Sequence, residues 1–470
     1  MPRSSQRSLE SRVMKAPVKL VLATALLLVL GACASLPPSP AKTVAFTVNV
    51  RAYGARGNGK HDDTAAFQRA MNAVAAHGGG VVHVARGTYR DTTLTIRDRV
   101  SIAGEGAART WLRGRVTAGS KMTIRRVRIG ARHLAFHLTR GATDSLFDHV
   151  TFVGGGPMSS DDDQGVIRLA GGRGASFITF RSCTIGANSA DGNGVSIVDS
   201  GWSGATYHDI SWQDCHFLGS PRMTFECIEY LDGRHTQTTG YYNIDLRDCL
   251  FEPSGSQTIS YGGKGSFSGR STISGCTIKG AGWNSAYPWG QGVEFNGVVG
   301  MQFTGNTVDR CRGSMINHQG YAGTTTANVF SGNTFDGTTS NISAAPTATT
   351  TCITYINVTG SRFDDNLVKS NAGGQLVYLS GSSGNTFSGD TLVDPRAQAD
   401  AHQCIWVANT SSNNTFDGAT FQSPVKYGTA CFVSGSDRNT VTDSTFVSFG
   451  QKAVSAATGL TVVLSGNIYR

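Results

Sequence analysis

"FRSCTI" at residues 180–185 returns as "WQDCHF" at 212–217, "LRDCLF" at 246–251 and "ISGCTI" at 273–278. Asparagine then takes the same slot in "FTGNTV" at 303–308 and in "SGNTF" at 331–335 and 383–387. Later copies read "NNTF", "RNTV" and "SGNIY", so the expected column is Cys183, Cys215, Cys249, Cys276, Asn306, Asn333, Asn385, Asn414, Asn439 and Asn467. The steps are mostly about 25 to 35 residues, the range of stacked-repeat proteins. Strand-forming residues at that period, with no helical spacing of apolar positions, predict a solenoid whose rungs bury one face only by stacking. Asparagine suits a tight turn and can bond to its own kind along the stack. The cysteines read as small buried thiols in the same column rather than as disulfides.

A second phrase alternates with the first: "VIRLAG" (166–171), "VSIVDS" (195–200), "CIEYLDG" (227–233), "TISYGG" (258–263), "GVEFNG" (292–297) and "MINHQG" (315–320). Aligning the first apolar residue of each predicts one outward column: Arg168, Ser196, Glu229, Ser260, Glu294, Asn317, Thr354, Tyr378, Trp406 and Val433. Side chains alternate across a strand, so Ile167 and Leu169, Ile228 and Tyr230, or Val293 and Phe295 should point into the core. His318 follows Asn317 and is expected inside as well.

The chain has 470 residues, 39% of them hydrophobic, with 59 glycines and 12 prolines, a composition for many tight turns between short strands. Lys15 and Lys19 precede the apolar run Leu20 to Leu30, which is too short to span a bilayer and has the flanks of a cleaved signal. "LGAC", ending at Cys33, resembles the lipobox of bacterial lipoproteins. That resemblance implies acylation of Cys33 and, with Ala34 next, delivery to the outer membrane. The expected divisions are a signal at 1–32, a tether at 33–44 and a solenoid at 45–470. Loss of residues 1–32 lowers the formal charge from +9 to +5, and residues 86–140 alone carry +10. Such a basic stretch could attract an anionic glycan or phosphorylated lipid headgroups. No nucleic-acid-binding motif is visible.

"NVRAYGARGNGKHDDTAAFQRAMNAVAAHGGGVVHVARGTYR" (49–90) resembles the entry segment of pectate lyase-like, single-stranded right-handed parallel β-helix proteins, which include polygalacturonases and phage tailspikes. In this segment Asp63 or Thr64 can cap a helix whose Phe67, Ala70, Met71 and Val74 form an apolar stripe, with "HGGG" ending it. The helix is expected to cover the end of the solenoid. Comparison with polygalacturonases aligns their Asn-Thr-Asp-Gly rung with "NSADGNG", which brings forward Asp191, and their Asp-Asp-Cys-Ile rung with "FECIE", where Glu226 replaces the second aspartate. Their Gly-His-Gly rung falls on Ser256-Gln257-Thr258 and their Arg-Ile-Lys rung on Glu294-Phe295-Asn296. The cations that grip a uronate carboxylate in that family are thus missing here, which argues against plain galacturonan as substrate.

Rungs lie about 4.8 Å apart. Glu229 and Glu294, separated by the Ser260 rung, should therefore have backbones about 9.6 Å apart, overlapping the roughly 6.5 to 9.5 Å carboxyl separation of inverting glycosidases. The expected catalytic set is Asp191, Glu226, Glu229 and Glu294, with acid and base roles unassigned. Asp163 and Asp191 each precede their column residue by five positions and could share a proton, or hold Ca²⁺ with Asp161 and Asp162; no cofactor is required. Arg168, Lys264, Tyr261, Trp289 and Asn317 complete the expected substrate contacts, since Trp283, Trp289 and several tyrosines crowd the long turns between Val195 and Val293. The leading expectation is a polysaccharide-cleaving glycoside hydrolase. A lyase or uronate epimerase is the second reading, and a non-catalytic glycan-binding or surface-structural β-helix is the third.

Overall fold

The computed structural model describes residues 45–470 except 132–134, 139–140, 155–164, 170–173, 188–192, 200–204, 230–239, 268–270, 288, 321–324, 339–350, 370–374, 396–403, 428–429, 436 and 450–452. The chain divides into two compact units, Met1–Ala45 and Phe46–Arg470, and every described strand belongs to the second. Cys33, the apolar run before it, Asp163 and Asp191 lie outside the described residues.

The second unit is a right-handed parallel β-helix with three faces. Each rung contributes one strand to each face, and every strand pairs in parallel with its counterpart one rung away. Parallel crossovers are right-handed for steric reasons of strand twist. In a typical rung the first face has Ile167–Leu169, the second Ala175–Arg181 and the third Thr184–Ala187. The next rung repeats this with Val195–Asp199, Thr206–Gln213 and His216–Phe217.

Inward positions stack like upon like. Phe147 lies 4.6 Å from Phe180, and Phe180 lies 5.0 Å from Trp212 with the rings parallel. Fully burying each large apolar side chain is worth about 1.5–3 kcal/mol, and no rung obtains that alone. Trp212 is thus a core residue.

The asparagine–cysteine repeat resolves into two ladders where the sequence predicted one. Cys183, Cys215, Cys249, Cys276, Asn306, Asn333, Asn366 and Asp390 stand at the corner between the second and third faces, a series to which Asn467 also belongs. Asn328, Ser361, Asn385, Asn414 and Asn439 stand at the corner between the first and second. In the first ladder Asn306 Nδ2 donates to Ile273 O at 2.9 Å, and its backbone N–H donates to Asn333 Oδ1 at 2.8 Å. In the second, Asn385 and Asn414 repeat that pattern. The cysteines fill the same slot with a weaker donor: Cys249 Sγ lies 3.5 Å from Trp212 O. All nine described cysteines are buried thiols outside any disulfide.

The α-helix Thr64–Ala76 buries Ala66, Phe67, Ala70, Met71 and Val74 against the first rungs. Asp63, expected as its cap, makes no cap bond. Its buried carboxylate instead accepts from Arg56 N at 2.8 Å and Gly57 N at 3.1 Å, pinning the loop before the helix. The helix exit needs glycine: at Gly80, φ is 145° and a Cβ would meet Phe46 O at 2.2 Å.

Candidate active site

The strand register of the first face fixes the outward column directly. It reads Thr117, His137, Arg168, Ser196, Glu226, Ser260, Glu294, Asn317, Thr354, Tyr378, Trp406 and Phe432. This corrects two expected members. Glu226, not Glu229, faces Ser196 and Ser260, while Glu229 pairs with Asp199 three positions further along. Phe432, not Val433, pairs with Trp406. The phase of "FECIE" is set by packing: Phe225 is buried with its ring 4.9 Å from Trp212 and 5.8 Å from Tyr261, which turns Glu226 outward. Ser196, Glu229, Lys264 and Phe432 have described backbones, all in strands, but their side chains lie outside the described set.

Tyr261, expected to contact substrate, is in the core. It is fully buried, its hydroxyl donates to Ile244 O at 3.0 Å, and burial raises its pKa well above the usual phenol range. Alternation requires this once Ser260 faces out. His318 is inside too, with Nε2 2.8 Å from Asn328 Nδ2, and burial lowers its pKa to about 3. Trp289 is 54% exposed in the loop leading to the Glu294 strand, with its carbonyl bonded by Arg312 at 3.2 Å. Asn317 is half-buried directly beside Glu294 in the column.

Glu226 and Glu294 flank Ser260, so their backbones are two rungs or about 9.6 Å apart. Their surroundings differ. Glu226 is 1% exposed and accepts from Asn193 Nδ2 at 2.7 Å; Asn193 is in turn oriented by Met223 N. Glu294 keeps partial access to solvent and accepts from three donors: Gln319 Nε2 at 2.6 Å, Ser260 Oγ at 3.1 Å and Gln257 Nε2 at 3.2 Å. Burial nonetheless raises the Glu294 carboxyl above its ordinary range, because the three donors offset the lost hydration only in part.

His137 was missed at the sequence level, as were Asn193, Gln257 and Gln319 as carboxylate partners. His137 pairs with Arg168 one rung away and is half-buried. Its signal was present: "FHL" at 136–138 has the pattern of "IRL" at 167–169. The cluster accordingly offers an imidazole, a guanidinium and two carboxyls along one line, with amides and a hydroxyl between them. Around the corner, on the third face, Trp111 pairs with Arg128, whose guanidinium carbon lies 4.6 Å from the indole centroid; Arg113 lies 5.8 Å from it. Among the described residues no three His, Cys, Asp or Glu side chains gather as a metal-ligand set.

Residues 47–151 match the family model described as rhamnogalacturonase A/epimerase, pectate lyase-like, and residues 263–463 match that described as periplasmic copper-binding protein (NosD). Over 70 residues, 13% of this chain, it is 44% identical to mannuronan C5-epimerase AlgE3 and 41% identical to alginate lyase 7, both of Azotobacter vinelandii. Those matches span 4% and 8% of the relatives' own lengths. Among solved structures, the A-module of A. vinelandii mannuronan C-5 epimerase AlgE6 aligns over 90% of this chain and 99% of its own, at 15% identity and a TM-score of 0.40. A tailspike protein of the E. coli bacteriophage HK620 aligns over 89% and 78%, at 11% identity and a TM-score of 0.49.

Proposed function

We propose that this protein is a polysaccharide-modifying enzyme that moves the proton beside a sugar carboxylate, as a uronate epimerase or an eliminating lyase does. The observation that carries this reading is the sequence of His137, Arg168, Ser196 and Glu226 on four successive rungs of one column. A proton next to a carboxylate becomes removable when that carboxylate's charge is offset, because the electron pair left behind spreads onto its oxygens. Arg168 supplies the fixed positive charge. Imidazole is suited to accept a proton near neutral pH, and His137 and Glu226 flank Arg168 at one rung and two rungs. Return of a proton to the opposite side of the carbon gives the epimer. If instead the C–O bond to the neighbouring sugar breaks, an unsaturated sugar and a free hydroxyl result.

The short but close matches to mannuronan C5-epimerases and an alginate lyase support this chemistry over hydrolysis. The arginines around Trp111 support an anionic polymer, which a positive surface concentrates near the column. One observation favours a second reading, hydrolysis by single displacement: Glu294, with its raised pKa, suits a proton donor, and Glu226 stands two rungs away as a base. We further infer from the N-terminal sequence that the protein is exported and lipid-anchored at Cys33, so Cys33→Ser should abolish fatty-acid labelling.

Incubating the protein with polymannuronate and polygalacturonate in D₂O separates the chemistries. Deuterium at C5 marks epimerisation, new ultraviolet absorbance marks elimination, and reducing ends without either mark hydrolysis. Proton exchange that persists undiminished in both His137→Ala and Glu226→Gln would sink the proposed mechanism. Binding without any turnover would leave a glycan-binding module.

A further inference from the structure

On the second face, four successive rungs hold a non-glycine residue in the left-handed region at one register position: Asp144, Phe177, Asp209 and Asn243, with φ of 54°, 55°, 53° and 52°. Aspartate and asparagine tolerate that conformation because their short polar side chains bond locally. A phenylalanine does not, and a bulky residue there is an outlier. Phe177 is also 55% exposed, so the fold gains little from its ring. A residue that is unfavourable for both backbone and hydration points to a contact made by the ring itself.

Its surroundings define that contact. The His208 ring stands edge-on to Phe177 at 5.3 Å and lies parallel to the Tyr242 ring at 4.7 Å. His208 Nδ1 is 2.7 Å from Asp209 Oδ2, and Asn243 Nδ2 donates to Asp209 Oδ1 at 2.7 Å. These bonds lower the Asp209 pKa although burial opposes them, so the carboxylate stays ionised. The carboxylate takes Nδ1 of His208 as its donor, and Nε2, on the other side of the ring, is bonded to no described residue.

We propose that Phe177, His208 and Tyr242 form a saccharide-binding shelf separate from the Glu226–Glu294 column, taking an uncharged sugar ring of a polysaccharide through its C–H face on Phe177, with a sugar hydroxyl donating to His208 Nε2. The proposal rests on the reading of the partner as a polysaccharide, but not on any catalytic role for the column. An aromatic face beside oriented polar groups fits a sugar, whose ring offers C–H on one side and hydroxyls at the edge. Asp144 and Asp209 add negative charge to the rim, which repels a carboxylated unit and selects a neutral one. It equally disfavours an anionic lipid surface.

The test is saturation-transfer NMR with irradiation of the protein's aromatic protons. The probes are neutral hexasaccharides of β-glucan, xylan, galactan and mannan, with hexamannuronate as the charged comparison. A Glu226→Gln/Glu294→Gln background suppresses turnover, so a failure of the enzymatic reading and a failure of the shelf are seen separately. Phe177→Asn gives this rung the residue that Asn243 already provides two rungs on. It relieves the backbone strain, so the variant should unfold at an equal or higher temperature while losing at least tenfold in affinity for the neutral probe. His208→Ala should also weaken binding, and His208→Gln should restore part of it. Transfer to no neutral probe, or transfer that Phe177→Asn leaves unchanged, overturns the proposal.

Discussion

The upper and lower halves of the first face share a backbone and differ in what they display. From His137 to Asn317 the column carries imidazole, guanidinium, carboxyl, hydroxyl and amide groups; from Thr354 to Phe432 it carries a threonine and three aromatic residues. In the lower half Tyr378 and Trp406 pack on each other at 5.4 Å, and Trp406 Nε1 bonds to Ser434 at 2.8 Å. Beneath both halves the core runs on without a break, Phe303 to Phe330 and Phe363 to Phe387. Stability therefore comes from the inward positions, which leaves the outward ones open to carry chemistry in one region and none in another.

That contrast can be broken most directly by activity. With a substrate identified in D₂O, Glu226→Gln should lower turnover at least 100-fold, the lower end of what one acid–base group contributes. Trp406→Ala should change it by less than about threefold. Steady-state rates on folded protein decide this, and equal losses would erase the distinction between the halves.

The corners sharpen the comparison in stability. Asn333→Ala in the asparagine stretch of the first ladder strands the carbonyl of Phe303 and the N–H of Asn306, costing about 2–3 kcal/mol by denaturant unfolding. Cys249→Ala in the cysteine stretch of the same ladder removes only a weak S–H donor and a small buried volume, and should cost about 1 kcal/mol.

A pH-dependent effect comes where the first ladder has an acid in place of an amide. Asp390 Oδ1 accepts from Asn366 N and Nδ2, while the buried Oδ2 has no partner. Burial raises its pKa from 3.8 to about 8. The folded chain then holds a proton that the unfolded chain releases above about pH 4, so stability from this group is complete in acid and declines as the pH rises towards about 8. Asp390→Asn should flatten that dependence and stabilise the fold at pH 8 by about 1–2 kcal/mol, with no gain at pH 4. Urea unfolding at the two pH values measures it.

Much of the architecture was legible because it rests on period and alternation. The stripe of Phe67, Ala70, Met71 and Val74 is buried as predicted, and Ile167, Leu169, Val293 and Phe295 point inward. Errors arose where one stretch fits two phases. "FECIEY" alternates acceptably whether Phe225 and Cys227 or Ile228 and Tyr230 are inside, and only the rings of Trp212 and Tyr261 select the first. The phrase "GNTF" served two corners because each makes the same demand, an amide donating to a carbonyl on the neighbouring rung.

The sequence by itself determined that this chain coils into stacked rungs, since a regular apolar repeat has no other way to escape water. It also supplied an inventory of titratable groups. Where a stretch fits two phases, which of those groups share the line was decided by tertiary structure: a shift of one residue reverses every side chain in a strand, and that choice belongs to packing between rungs. Hence His137 joined the column and Glu226 displaced Glu229, while Tyr261, next to the column residue Ser260, faces the core.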